Sequence, residues 1–390
     1  MRGSIRQQSN GTWELRLYLG RDANGRKLYK SHTFRGTKRQ AQNEVSRLVT
    51  ALSSGAYVEP ARMTVGVYFE RWLADYARMN VAAKTYERYA EIVRLHLVPA
   101  LGHHALAKLQ PLHIQAYYAE ALQRGRTDGE GGLSAQTVLH HHRVLREALR
   151  HAVRWQLLAR NPADATEPPR ATRREAAVLD DTDVERLLRA ADGTPLELPV
   201  LLALTTGVRR GELLALRWQD VNWKAATIAV RRSLEQTRAG GLTFKEPKTR
   251  RGRRVVTLPP LTVEALRRYR AEQAKARLAV GRAYQDADLI IARADGRPYD
   301  PAKFSNAVAA LMRRAGVCDV SLHSLRHTCA TMLLSANVHP KIVSERLGHA
   351  TIGITLDTYS HVLPNMQEEA AQKLNDALTA RRGASSAIKA

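Results

Sequence analysis

The chain has 390 residues, of which 44% are hydrophobic, and it carries 61 Lys and Arg against 37 Asp and Glu, a formal net charge of +24. This length exceeds one ordinary hydrophobic core and predicts two or three domains. The positive excess favours a nucleic-acid partner over a merely basic soluble protein, because each phosphate neutralised by Lys or Arg releases condensed counterions.

No apolar run is long enough to span a membrane, and the first residues lack the apolar segment of a signal peptide. We therefore expect a soluble, cytoplasmic protein without membrane contact. The two cysteines, Cys318 and Cys329, have no zinc or redox spacing, so both are expected to be reduced thiols.

Residues 1–57 predict a small basic domain. Within the first 55 residues, 11 Lys or Arg stand against 3 Asp or Glu. Apolar residues alternate with polar ones in the segment GTWELRLYLG, and turn pairs flank it, which predicts three short strands. Thr37 and Gln40 have capping-box spacing, so a helix should follow, running toward Leu52.

Residues 62–160 predict a helical bundle, because apolar residues recur at three- and four-residue spacing from about Thr64 to Leu158. The run His140, His141 and His142 suggests a metal tract, but neighbours on a helix point about 100° apart and do not face one ion. We expect no metal site here. The polar, proline-bearing stretch 161–176 then predicts a linker.

Residues 177–382 predict a third domain, followed by a short tail at 383–390. The spacing of Thr182 and Glu185 predicts a capped helix, strands are expected from Asp220 to Pro259, and helices return after Thr262. The last helix would be amphipathic, with Ala370, Leu374 and Leu378 on one stripe that packs on its own domain or on a neighbouring protomer.

Six residues of this third domain suit the transfer of a phosphoryl group. Cationic donors stabilise the negative charge of a pentavalent phosphate, and a tyrosine beside them can serve as a nucleophile. Tyrosine has an ordinary pKa near 10, so it attacks at neutral pH only where cations and the phosphate favour loss of its proton. The six are Arg209, Lys248, His323, Arg326, His349 and Tyr359.

Arg209 follows the Thr206-Gly207 end of an apolar helix, where a guanidinium can hold two phosphate oxygens. Arg210 is its rival, because either arginine could pair with Glu212. Glu212 is predicted either to orient an arginine or to be an ordinary acid in the first turn of a helix.

His323 and Arg326 lie three residues apart and should project from one helix face, with His327 pointing elsewhere. His349 follows Leu347-Gly348, a helix C-cap pattern, and is expected to hydrogen-bond the phosphate or to assist Tyr359 as a base.

These motifs, in this order, resemble the catalytic domain of the tyrosine recombinases, the phage-integrase family, with no departure at the six positions. The resemblance implies that Tyr359 forms a 3′-phosphotyrosyl link and that Lys248, rather than Lys245, is the general acid on a hairpin whose turn carries Arg250 to Arg254. No metal and no other cofactor is implied. Expected contacts to the DNA backbone near the cleaved site are Arg250, Arg251, Arg253 and Arg254.

The fold implied is multidomain and mainly α, with a three-stranded arm-type DNA-binding domain, a helical core-binding domain and an α-rich mixed α+β catalytic domain. Arg16, Lys27 and Lys30 are the expected arm-site contacts. The implied partners are double-stranded DNA at core and arm sites, three further copies in a homotetramer, a directionality factor and a DNA-bending protein. The implied reaction integrates or excises a mobile element through a Holliday junction.

Two alternatives use the same residues. A type IB topoisomerase would share the catalytic set but usually lacks an arm-type domain. A non-catalytic DNA-binding protein of the same fold would share the architecture alone. The absence of a phosphate-binding GxxxxGK[ST] loop and of paired carboxylates argues against metal-dependent nucleases and transposases.

Overall fold

A computed structural model describes residues 3–21, 25–53, 63–172, 177–246 and 252–359, with 371–372, 374–376 and 378–379 near the C-terminus. The chain divides into two compact units, Met1–Arg173 and Arg174–Ala390. Within the described part, no helix has the length and apolar character needed to cross a membrane.

The first unit opens with the predicted sheet and helix, which are confirmed. Strands β1 (Gly3–Ser9), β2 (Thr12–Arg21) and β3 (Lys27–Arg35) form an antiparallel sheet in that order, and α1 (Lys38–Ser53) follows. Trp13 and Leu15 pack against Ala41 and Val45 of α1.

The capping box before α1 is also confirmed. The Thr37 backbone amide donates to Gln40 Oε1 at 2.9 Å, and the Gln40 amide donates to Thr37 Oγ1 at 3.3 Å.

The predicted helical bundle follows. It comprises α2 (Val65–Trp72), a π-helical turn (Leu73–Ala77), α3 (Arg78–Asn80), α4 (Ala83–Ile92), a second π-helical turn (Val93–Leu97), α5 (Val98–Leu101), a 3-10 turn (Leu106–Lys108), α6 (Pro111–Arg124) and α7 (Ala135–Arg154). Tyr68, Phe69 and Trp72 are fully buried at its centre. His141 and His142 share hydrogen bonds of 2.7 Å with the hydroxyls of Tyr117 and Tyr118, through Nδ1 in each case.

The first residues of the predicted linker belong to the surface of this bundle. A 3-10 turn, Pro162–Ala165, places Ala163 in the bundle core. Arg146 pairs with Asp164 at 2.6 Å. The backbone N–H of Glu167 donates to Gln115 Oε1, and Gln115 Nε2 donates back to the Glu167 carbonyl. The expectation that linker begins at residue 161 is therefore corrected, because these contacts hold the chain to the bundle through residue 167.

The second unit is mainly helical with short strands. Its elements are α8 (Asp181–Ala191), α9 (Glu197–Thr206), α10 (Arg210–Leu213), a 3-10 turn (Trp218–Asp220), β4 (Val221–Asn222), β5 (Thr227–Val230), β6 (Ser233–Thr237), β7 (Gly241–Lys245), β8 (Arg254–Thr257), α11 (Pro260–Val280), a 3-10 turn (Gly281–Ala283), α12 (Pro301–Arg314), α13 (Leu322–Ser335), α14 (Pro340–Leu347) and α15 (Ile352–Tyr359). Helix α9 is apolar on all sides, and eight of its ten residues are buried, so it is a central element of the core.

Two local expectations in this unit are wrong. The cap of α8 is Asp180, whose carboxylate accepts from the Asp183 amide at 2.7 Å, and not Thr182. Strand β8 pairs with β5, whereas β7 pairs with β6, so Arg254 starts a strand and does not lie in a hairpin turn. The pairing of β8 with β5 sets Ile228 opposite Val256, and both of these apolar side chains are buried in the same core.

The C-terminal segment is helical at each of its described residues. Leu374 and Leu378 are exposed there. Ala370, the third member of the predicted stripe, lies outside the described residues.

Candidate active site

The turn between α9 and α10 is the framework of the site. Gly207 has φ of 63° and ψ of 24°, a left-handed conformation that caps α9 and that glycine adopts without a steric penalty. A Cβ atom there would lie 2.4 Å from Leu347 Cδ2. The turn thus packs directly against the end of α14, which a larger residue would prevent.

Arg209 leaves this turn in an extended conformation and caps α10. Its Nη1 donates to Glu212 Oε1 at 2.8 Å, its amide donates to Glu212 Oε2 at 2.9 Å, and its Nη2 donates to Gly348 O at 3.3 Å. The side chain is 43% exposed, so the guanidinium is oriented and still accessible. Arg210, the rival, is exposed and donates to Ser305 Oγ at 2.9 Å.

Arg326 approaches the same turn from α13. Its side chain is buried, and Nη1 donates to Gly207 O at 2.7 Å, a bond between residues 119 positions apart. His323 lies one turn earlier and is exposed. The ring of His327 lies 4.8 Å from that of His323, so the expectation that His327 points away is wrong. Residues four apart on a helix are neighbours.

His349 enters from the end of α14. Gly348 has φ of 69° and ψ of 46°, and the His349 amide bonds Ser344 O at 3.0 Å, which confirms the predicted C-cap. His349 Nδ1 lies 2.8 Å from the hydroxyl of Thr355, a fully buried residue of α15. Helix α15 ends at Tyr359, of which only the backbone is described.

The histidines of the site are neutral at neutral pH. Burial, then the charges of Arg326 and Arg209, lower the pKa of His349 to about 4. The same causes in the same order lower the pKa of His323. Burial, then His323 and Arg326, lower the pKa of His327 to about 4. A neutral imidazole has one N–H donor and one nitrogen acceptor, so each ring can take part in proton transfer.

Glu212 is buried, and its carboxylate accepts hydrogen bonds from both Arg209 and Arg254. Burial alone would raise its pKa, but the hydrogen bond and charge of Arg254, with those of Arg209, outweigh burial and lower the pKa. The carboxylate is therefore ionised, and it accepts from Arg254 Nη2 at 2.8 Å. Of the two predicted roles for Glu212, the orienting one fits these contacts.

Arg254 was expected to contact the DNA backbone, and its position does not fit that expectation. Its side chain is 6% exposed, and besides Glu212 it donates to Arg346 O at 2.6 Å and Gly252 O at 3.3 Å. Arg253 beside it is exposed and pairs with Glu246.

Lys248, Arg250 and Arg251 lie outside the described residues. Lys245, the rival of Lys248, lies on β7 and pairs with Glu235. In the N-terminal sheet, Arg16 is exposed with its guanidinium 4.3 Å from the centroid of the Tyr29 ring. Lys27 is exposed and Lys30 is half-buried.

Within the described ranges, no group of three His, Cys, Asp or Glu side chains could hold a metal ion. Cys329 is buried beneath the Gly207 turn, and burial raises the pKa of its thiol, so it behaves as a small apolar residue.

The contributions of Thr355, Arg254 and Arg346 to the site were not predicted. Thr355 has no sequence signal that distinguishes it from any helical threonine. Arg254 belongs to a run of arginines that suggests solvent exposure, and only the pairing of β8 with β5 explains its burial.

Comparison with known proteins places this geometry in a family. Residues 177–366 match the profile of the phage integrase family, and residues 64–122 match that of the phage integrase N-terminal SAM-like domain. The chain is 28% identical to a XerC-like tyrosine recombinase of Caldanaerobacter subterraneus, covering 93% of this chain and 96% of the relative. It is 26% identical to an integrase of Saccharopolyspora erythraea, with 96% of each chain covered.

Solved structures share the fold. A Tn1549 transposon integrase in complex with transposon right end DNA has a TM-score of 0.68 at 20% identity, covering 80% of this chain and all of that one. A lambda integrase dimer bound to a core site has a TM-score of 0.56 at 18% identity, covering 91% of this chain and 94% of that one. The family profiles and the relatives establish that the chain is a tyrosine recombinase of the phage integrase family, and the solved structures share its fold.

Proposed function

We propose that this protein is an integrase, which cleaves and rejoins double-stranded DNA at specific sites to insert or excise a mobile element. The observation that carries the proposal is the meeting of Arg209, Arg326, His323 and His349 around the Gly207 turn, from segments distant in sequence. The relatives named above are integrases and a recombinase, which favours recombination over relaxation by a topoisomerase.

In the proposed reaction, Tyr359 Oη attacks the phosphorus of one phosphodiester. A bond forms between that oxygen and phosphorus, and the bond from phosphorus to the 5′-oxygen breaks. Arg209 and Arg326 hold the nonbridging oxygens, whose negative charge grows in the transition state. The covalent link conserves the energy of the broken bond, so a 5′-hydroxyl of another strand can reverse the step without ATP.

Two protons move in this step. Neutral His349 either accepts the Tyr359 proton or donates to the phosphate, and the direction of its bond to Thr355 decides which, because that bond fixes the tautomer. His323 donates a hydrogen bond to the phosphate or shuttles a proton. Lys248 is the proposed acid that protonates the leaving 5′-oxygen.

The other domains would supply recognition. We assign residues 1–57 to arm-site DNA, with Arg16, Lys27 and Lys30 as contacts, and residues 62–160 to the core site. Residues 177–382 would form the catalytic domain. Arg250, Arg251 and Arg253 are the proposed contacts to the backbone near the cleaved phosphate. Four copies would assemble on two sites and exchange strands through a Holliday junction, assisted by a directionality factor and a DNA-bending protein.

Covalent capture tests the reaction. Wild type, Tyr359→Phe and a matched control, Tyr284→Phe, are incubated without metal or nucleotide with DNA from the element's attachment region, nicked so that the 5′ fragment escapes. We expect a denaturation-resistant adduct with wild type and the control but none with Tyr359→Phe. An adduct that persists in Tyr359→Phe would assign the nucleophile elsewhere. Tight binding without any adduct would favour the non-catalytic alternative.

A further inference from the structure

Two arginines exchange hydrogen bonds between strand β8 and helix α14. Arg254 Nε donates to the carbonyl of Arg346 at 2.6 Å, and Arg346 Nη2 donates to the carbonyl of Thr257 at 3.0 Å. Each side chain thus binds the backbone of the element that carries the other. This reciprocal pair, Arg254 and Arg346, is called the arginine latch below.

The latch reaches both turns of the site. Arg346 Nη2 also donates to Thr205 O at 2.6 Å, in the last turn of α9 before Gly207. Arg346 is the penultimate residue of α14, which ends immediately before Gly348 and His349. Displacement of α14 would therefore move His349 away from Arg209, whose Nη2 donates to Gly348 O.

Arg254 also completes the surroundings of Glu212. The carboxylate bonds Arg209 Nη1 through Oε1 and Arg254 Nη2 through Oε2. Glu212 is 4% exposed, so few water molecules can replace a lost partner. Oε2 also accepts from the Arg209 amide at 2.9 Å, so without Arg254 it would keep this neutral donor but lose its charged one. The buried carboxylate would then attract the Arg209 guanidinium more strongly and pull it from its present orientation.

We propose that the arginine latch is a positioning device that sets Arg209 and His349 for the scissile phosphate by holding α14 against β8 and by sharing Glu212 with Arg209. The inference rests on the DNA-cleavage function proposed above. Neither latch residue is proposed to touch DNA. Their role requires arginine, because a planar guanidinium donates in several fixed directions at once and a lysine ammonium does not reproduce that fork.

The first test measures the rate of covalent adduct formation by Arg254→Met, Arg254→Lys and Arg346→Met on the nicked substrate. We expect each variant to cleave about 10- to 100-fold more slowly than wild type, as is common when a supporting residue is removed. Arg189→Met is the matched control, since it removes an exposed arginine of α8 that has no assigned part in the site. Melting curves check that each variant is folded at the assay temperature. If Arg254→Met is unfolded there, Arg254→Lys takes its place in the comparison.

A second measurement separates positioning from general destabilisation. A methylphosphonate at the scissile position replaces one nonbridging oxygen with an uncharged methyl group, so cleavage depends less on the cations that hold the phosphate. The ratio of wild-type to Arg254→Met rates should fall toward one on this substrate. An equal ratio on both substrates would overturn the proposal.

A double-mutant cycle tests the route through Glu212. If Arg254 acts by sharing this carboxylate, Arg254→Met should slow cleavage much less in a Glu212→Gln background than in wild type. Independent, multiplicative effects would overturn that part of the inference. Wild-type adduct formation with no effect of any latch variant would refute the latch alone, whereas failure of wild type to form adducts would refute the proposed function.

Discussion

Two groups of histidines in this protein have lowered pKa values, one in the helical bundle and one at the candidate active site of the second unit. In the bundle, burial, then His96 and Arg88, lower the pKa of His141 to about 4. In the second unit, burial, then Arg326 and Arg209, lower the pKa of His349 to the same value. The pKa alone therefore does not distinguish a structural histidine from a candidate catalytic one.

The partners make the difference. Tyr117 and Tyr118, both buried, bond the Nδ1 atoms of His141 and His142, so the hydrogen bonds tie one helix of the bundle to another. His349 instead stands beside Arg209, which is bound by an ionised carboxylate and remains 43% exposed. Oriented cations that are open to a ligand, more than a shifted pKa, characterise a site for an anionic substrate.

The largest expected effect follows removal of a cation from the catalytic group. Arg326→Gln should slow adduct formation by about 100- to 1000-fold, the usual cost of losing one preorganised donor to a transition-state oxyanion. Single-turnover cleavage of the nicked substrate measures the rate of adduct formation. Arg189→Gln, on the exposed face of α8, is the matched control and should cleave at the wild-type rate.

Histidine replacements in the two groups should separate chemistry from stability. His349→Gln keeps a hydrogen-bonding side chain but cannot transfer a proton at neutral pH, so cleavage should slow about 100-fold with little change in melting. His141→Leu leaves the Tyr117 hydroxyl buried without its partner and should lower the free energy of unfolding by about 1–3 kcal/mol.

Cleavage by folded His141→Leu should stay at the wild-type rate. A loss of cleavage with no loss of stability in that variant would contradict the distinction between the groups.

Both groups should make stability depend on pH with the same sign. The unfolded histidines bind protons below about pH 6.5, whereas folded His141 and His349 stay neutral until about pH 4. The free energy of unfolding should therefore fall as the pH falls from 6.5 to 4, by at most about 1.4 kcal/mol per pH unit for each group.

His349 is half-buried, so solvent screening reduces its contribution to this pH dependence of the free energy of unfolding. Urea unfolding at several pH values measures the slope, which His141→Leu should make shallower. Short duplexes carrying the core site should raise the pKa of His349 and leave that of His141 unchanged, because only His349 would face the phosphate.

The smallest effect concerns the exposed arginine beside β8. If Arg253 contacts a phosphate, Arg253→Gln should weaken DNA binding a few-fold and reduce the slope of log affinity against log salt by about one. Binding titrations between low and moderate salt test this. An unchanged slope would remove Arg253 from the interface.

The sequence predicted the elements that carry the site more closely than the contacts among them. The end of α9 at Gly207, the C-cap at Gly348 and the joint placement of His323 and Arg326 on one helix follow from local patterns. The predictions failed for His327, for the cap of α8 and for the turn expected at Arg254. The cap of α8 was a choice between residues that local rules treat alike, and the place of Arg254 depends on a strand pairing that local rules do not fix. The prediction for His327 overlooked a local rule, since residues four apart on a helix are neighbours.

What the sequence by itself determined is local or compositional: helical periodicity, turns at glycine, and a positive charge that favours a polyanionic partner. These features depend on neighbours a few residues apart, where backbone geometry dictates the outcome. Only the tertiary structure decided that Arg209 and not Arg210 binds Glu212, that Arg254 is buried, and that Thr355 orients His349. The contacts of Arg254 join segments brought together by core packing, whereas the Arg209–Glu212 and His349–Thr355 bonds span only three and six residues. In all three cases the burial that strengthens the contact exists only once the chain has folded.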